Sequence, residues 1–117
     1  MGGPLPLVRG TLDALVLKAL AWTPMHGFEI TTWLEDRSGG ELGVQDSALY
    51  QALHRLEARG LAKATWGVTE NNQRARYYRL TEAGQAHLAA ETATWVRYAE
   101  IVTGILTAPV PATSKPG

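Results

Sequence analysis

A change of hydrophobic period along the chain constrains its fold more than any other feature. From Thr11 the apolar residues Leu12, Leu15, Val16, Ala19 and Leu20 recur three and four residues apart, one face of an amphipathic helix. The pattern predicts a helix over Thr11–Trp22, stopped at Thr23-Pro24 because proline disfavours helical geometry in the residue before it. Ile30, Trp33 and Leu34 repeat the interval, and a second helix ends at Ser38-Gly39-Gly40, where glycine can close it in the left-handed conformation. Leu49, Ala52, Leu53 and Leu56 form the inward stripe of a third helix, N-capped by Asp46 or Ser47 and stopped at Gly60. Its outward face carries Tyr50, Gln51, His54 and Arg55.

After Gly60 the helical interval disappears. Residues 61–66 and 74–80 are short, aromatic-bearing segments around a loop that contains Gly67, Asn71 and Asn72, the pattern of a β-hairpin. Thr81 then N-caps the longest helix, which runs to about Thr107 and is ended by Pro109 and Pro111. Its stripe of Leu88, Thr92, Trp95, Ala99, Val102 and Leu106 alternates steps of four and three, the heptad spacing of a helix that packs on a partner. Tyr98, Ile101 and Ile105 widen that face. The order predicts a mainly α (α+β) fold: an N-terminal arm over 1–10, a winged helix-turn-helix over 11–80, a C-terminal dimerisation helix over 81–107 and a disordered tail over 108–117.

A chain of 117 residues supports one compact domain with an appended element. The absence of cysteine excludes disulfides, thiolate metal sites and a thiol nucleophile. No apolar run approaches the roughly 20 residues that span a bilayer. The opening MGGPLPLVRG lacks the features of a secretory signal, so a soluble cytoplasmic protein without a membrane partner is expected. His26, His54 and His87 are far apart and show no carboxylates at metal-ligand spacing. Neither a nucleophile elbow nor a phosphate-binding glycine loop is present, so no enzyme, metal or cofactor is expected.

The net charge of zero hides a segregation. Residues 1–50 hold three basic and six acidic residues, whereas residues 51–80 hold six basic residues (Arg55, Arg59, Lys63, Arg74, Arg76, Arg79) against Glu57 and Glu70. The basic third coincides with the third helix and the hairpin, the two parts of a winged helix that meet DNA.

Three stretches narrow the reading: His26-Gly27-Phe28-Glu29-Ile30, the run from Ser47 to Leu61 (SALYQALHRLEARGL), and Arg76-Tyr77-Tyr78-Arg79-Leu80-Thr81-Glu82-Ala83-Gly84. Together they resemble the signatures of the PadR family of transcriptional regulators, and Trp66 to Tyr78 resembles the wing of its short, acidobacterial-type group. The resemblance spans about Leu12 to Leu106. It implies a bacterial, cytoplasmic, homodimeric repressor of double-stranded DNA whose operators are inverted repeats, often near its own promoter. This chain departs from the family in carrying Phe28 where tyrosine is usual, Gln51 where proline is common, and Ala48 where many members have a hydroxyl.

On this reading the DNA-contacting residues are Ser47, Tyr50, Gln51, His54 and Arg55 on the third helix and Asn72, Arg74 and Arg76 in the wing. Tyr50 matches the family's tyrosine, and Gln51 and Arg55 suit adenine and guanine edges respectively. Leu88, Trp95, Ala99, Val102 and Leu106 are assigned to the dimer interface. Trp95, Tyr98 and Ala99 line a candidate site between subunits for a small, planar, hydrophobic effector, as in some short members of the family. The alternative is a winged-helix protein-interaction module without DNA binding, whose mark would be a third helix and wing without basic bias.

Overall fold

A computed structural model describes residues 10–112. Its elements are α1 (Thr11–Trp22), α2 (Gly27–Ser38), α3 (Asp46–Ala58), β1 (Ala62–Val68), β2 (Arg74–Leu80) and α4 (Glu82–Leu106). Residues 1–9 of the expected arm over 1–10 and residues 113–117 of the expected tail over 108–117 lie outside the described residues. Three helices, an antiparallel hairpin and a long helix make the expected mainly α winged-helix architecture. No helix among the described residues is long and apolar enough to cross a membrane.

The three helical stripes converge on one core. Val16 and Leu17 of α1, Ile30 of α2, and Leu49, Leu53 and Leu56 of α3 are fully buried, with Leu61, Ala62 and Tyr78 closing the side nearest the hairpin. Each such aliphatic side chain contributes about 1.5–3 kcal/mol on burial, so the periodicity that marks the helices also fixes how they face one another.

The ends of the elements carry local signals. His26 caps α2: its Nδ1 accepts from the Glu29 N–H at 3.3 Å, while the Glu29 carboxylate accepts from the His26 N–H at 3.1 Å. Two free backbone donors are satisfied reciprocally, a capping box with histidine in the hydroxyl's place. The expected cap of α3 is corrected. Gln45 occupies the cap position without a side-chain bond, and Asp46 is the first helical residue, where its charge favours the positive end of the helix. At the other end, Leu61 N–H bonds the Leu56 carbonyl and Gly60 N–H bonds the Glu57 carbonyl, with Gly60 at φ 73°. That double closure requires a left-handed residue and places Leu61 against Leu56 in the core.

Strand β1 extends two residues beyond the expected 61–66, to Val68. The register pairs Ala62 with Leu80, Ala64 with Tyr78, Trp66 with Arg76 and Val68 with Arg74. Since successive side chains alternate, these residues share one face of the wing, and Lys63, Thr65, Gly67, Ala75, Tyr77 and Arg79 share the other. Met25 adds an unexpected rung, exchanging both backbone bonds with Tyr78 at 3.0 and 2.8 Å and tying the α1–α2 link to the wing.

Helix α4 is anchored at its first turn. The Thr81 hydroxyl accepts from Gly84 N–H at 3.0 Å and donates to the Gly60 carbonyl at 2.7 Å. Gly84, the buried residue of α4, lies so close to the Leu61 carbonyl that a side chain there would overlap it. Beyond this anchor the helix projects. The radius of gyration is 18.0 Å, with extents of 66 × 33 × 20 Å, whereas a compact chain of this length would have roughly 13 Å.

Candidate nucleic-acid interface

An open groove of about 480 Å³ runs between the start of α2, the exposed side of α3 and the wing. Phe28, Tyr50, His54, Trp66, Arg74 and Arg76 line it, with Tyr78 at its base. Its walls are set by local sequence. Gly27 admits Tyr50, whose hydroxyl would stand 3.1 Å from any Cβ at that position, and the capping box points Phe28 outward at 76% exposure.

Of the expected DNA-contacting residues, Tyr50, His54, Arg74 and Arg76 meet in this groove. Ser47 and Gln51 are exposed on α3 outside it. Asn72 sits in the wing turn at φ 62°, its N–H bonded to the Thr69 carbonyl at 2.9 Å, a placement that the turn alone explains.

The cations differ sharply in what holds them. Arg74 lies over the Trp66 ring at 4.5 Å and has no ion pair among the described residues. Arg76 pairs with Glu57 of α3 at 2.9 Å and faces the Trp66 and Tyr78 rings at 6.0 and 5.6 Å. Arg55 is gripped by Asp13 of α1, Nη2 to Oδ1 at 2.7 Å and Nε to Oδ2 at 3.2 Å. That hydrogen bond, aided by the carboxylate's charge, holds the Arg55 proton still more firmly than usual. Burial pushes the Tyr78 hydroxyl up, partly opposed by the Arg76 charge.

Sequence reasoning missed Trp66 as the platform under Arg74 and His26 as a helix cap. Strand alternation puts Trp66 and Arg74 on one face, but only once the register is known. Histidine is not among the usual capping residues. The histidines also have carboxylate neighbours that were not expected, Glu29 beside His26 at 3.6 Å and Glu91 beside His87 at 3.7 Å. Each is a single partner, and no group of three potential ligands occurs among the described residues.

The expected interface stripe divides in two. Leu88 packs onto the chain's own core, and Trp95 faces α1 across an apolar cleft of about 590 Å³ that Ala14, Leu15, Lys18, Thr92 and Tyr98 also line. Ala99 does not line that cleft. Further along the stripe Ala99 and Val102 are half-buried and Leu106 is exposed, and beside them Val96, Tyr98, Ile101 and Ile105 are exposed as well.

The sequence model of the transcriptional regulator PadR-like family matches residues 16–90. The fold is similar to a PadR family transcriptional regulator from Eggerthella lenta, at 30% identity and TM-score 0.74 over 86% of each chain. A transcriptional regulator from Clostridium thermocellum is similar at 26% identity and TM-score 0.74, covering 81% of this chain and 92% of that one. A Lysinibacillus sphaericus protein that carries the name Uncharacterized protein X is 27% identical over 82% of this chain and 88% of its own length.

Proposed function

This chain belongs to the PadR-like family of transcriptional regulators, and we propose that it works in the cytoplasm as a homodimeric repressor of a pseudo-palindromic operator. Family membership makes it a DNA-binding regulator and not an enzyme. The observation that carries the finer reading is the convergence of Tyr50 and His54 of α3 with Arg74 and Arg76 of the wing on one open groove. A recognition helix and a flanking wing so placed engage a major groove and the backbone beside it. Ser47 and Gln51 lie exposed on α3, where they meet the same duplex.

The projecting half of α4 supports the dimer. Tyr98, Ile101, Ile105 and Leu106 present an apolar surface that a second copy of the helix would cover. Two-fold symmetry then sets half-sites about one helical turn apart, ~34–36 Å. The cleft between α1 and Trp95 supports an effector site for a planar apolar molecule, with the neighbouring Trp95 and Tyr98 rings of α4, centroids 6.1 Å apart, supplying its aromatic wall.

A gel shift on the DNA upstream of the protein's own gene, repeated across salt concentrations, tests the reading. The expected result is a salt-sensitive, site-preferring shift, weakened by Arg74→Ala. A protein that shifts no DNA and sediments as a monomer sinks it and favours the interaction-module alternative. For the effector, planar aromatics should quench tryptophan fluorescence in the wild type but not in a still dimeric Trp95→Ala variant.

A further inference from the structure

The Asp13–Arg55 pair links α1 to the exposed side of α3, outside the groove between α3 and the wing. Arg55 follows Gln51 by one turn, and its side chain is 52% exposed while that of Asp13 is 23% exposed. The contact is side-on: the carboxylate takes one proton from Nε and one from Nη2. A guanidinium has five N–H donors in a rigid fork, so one Nη1 proton and the second Nη2 proton remain side by side along its outer edge. That outer edge is the one that forks onto O6 and N7 of guanine. Both partners can therefore be bound at once.

We propose that Asp13 is a specificity-positioning residue that aims the outer guanidinium edge of Arg55 at a guanine in the major groove. Two consequences of the pair favour a base over a phosphate. The carboxylate settles the rotamers of a long side chain before DNA arrives, which lowers the entropy lost on forming a directed bidentate contact. It also offsets the charge that a phosphate would reward regardless of sequence. Arg76 is held differently: a single Nη2 bond to the Glu57 carboxylate at 2.9 Å, with the Trp66 and Tyr78 ring centroids 6.0 and 5.6 Å away in the groove, so no carboxylate grips it side-on. The inference rests on the DNA-binding reading and adds to it the base that is read and the residue that orients the reader.

The test starts with the full-length wild type selecting its preferred sites from a pool of random duplexes. A guanine should emerge at a symmetric position in each half-site, preferred over adenine by about tenfold or more, and 7-deazaguanine there should lose the preference. Asp13→Asn and Arg55→Lys should each bring that preference toward unity while leaving the other positions unchanged. Asp13→Glu keeps the ion pair and the α1–α3 link but displaces the guanidinium by one methylene, so it should erode the same preference without lowering the thermal midpoint. A structural tie alone would survive Asp13→Glu with its profile intact, or would lose affinity for all sequences equally; either result overturns the proposal. A wild type that enriches sites which Arg55→Lys reads unchanged also overturns it, with DNA binding left standing. A wild type that enriches no site removes both readings together.

Discussion

Replacing Gly84 by alanine tests how α4 is docked, because two opposed effects act at that position. In a helix interior alanine is favoured over glycine by about 1 kcal/mol. Here the added Cβ would overlap the Leu61 carbonyl oxygen and stand 2.8 Å from Leu80 Cδ1. The Leu61 carbonyl cannot easily retreat, because it accepts from Thr81 N–H at 3.2 Å in the same junction that caps the helix. Relief of the overlap therefore displaces α4, strains the Thr81–Gly84 bond of 3.0 Å and opens the junction. Overpacking costs about 1–3 kcal/mol and a weakened cap about 1 kcal/mol, which together exceed the propensity gain. The expected net loss of about 2 kcal/mol lowers the melting temperature by roughly 8 °C in a chain of this size. Thermal melting followed by circular dichroism, at one fixed protein concentration because subunit association also shifts the midpoint, reads the effect. Gly104, in the same helix with no atom within 4 Å of its would-be Cβ, is the internal control. Gly104→Ala should raise the midpoint. If Gly84→Ala rises with it, the close approach of α4 to Leu61 does not exist in solution.

Arg74→Ala should reduce the magnitude of the log–log salt slope for non-specific duplex by about one per protomer, measured by fluorescence anisotropy; an unchanged slope would mean that Arg74 meets no phosphate. His26→Ala removes the α2 cap and should cost about 1 kcal/mol, with His26→Asn recovering most of it; equal melting of all three proteins would refute the capping role. Burial raises the Tyr78 hydroxyl above its ordinary value, so its contribution to stability is fully present below the unfolded value of about 10 and is lost as pH rises through the folded one. Tyr78→Phe should therefore melt with a flatter alkaline limb than wild type. Ile101→Lys places a charge on the exposed face of α4 and should shift sedimentation toward the monomer without changing the far-ultraviolet spectrum.

The elements were legible because each has a local cause. Stripes at helical spacing mark α1, α2 and α3, Thr23-Pro24 ends α1, and Thr81 caps α4 where expected. The legible part of the site is its location, since basic residues and aromatic strands adjoin in sequence. The partners of each cation were not legible. Asp13 and Arg55 are 42 residues apart and Glu57 and Arg76 are 19 apart, so their pairing depends on how helices and wing pack. The division of the α4 stripe had the same origin. A heptad shows that a helix packs on something, and only the anchor at Thr81 and Gly84 directs Leu88 inward and leaves Ile101 and Ile105 uncovered.

These pairings change what the basic third of the chain means. Two of its six cations, Arg55 and Arg76, are matched by carboxylates from α1 and α3. Lys63 and Arg79 stand opposite each other on the wing face turned away from Trp66 and Arg76. Within the groove this leaves Arg74, stacked on Trp66, as the cation without an ion pair among the described residues. A groove lined by one unmatched arginine adds little to the attraction for arbitrary DNA, since that attraction scales with the phosphates neutralised. On the proposal that Asp13 aims Arg55, discrimination comes from a directed contact of a held side chain, and a carboxylate that looks wasteful beside the helix becomes part of the means by which it prefers one sequence over another.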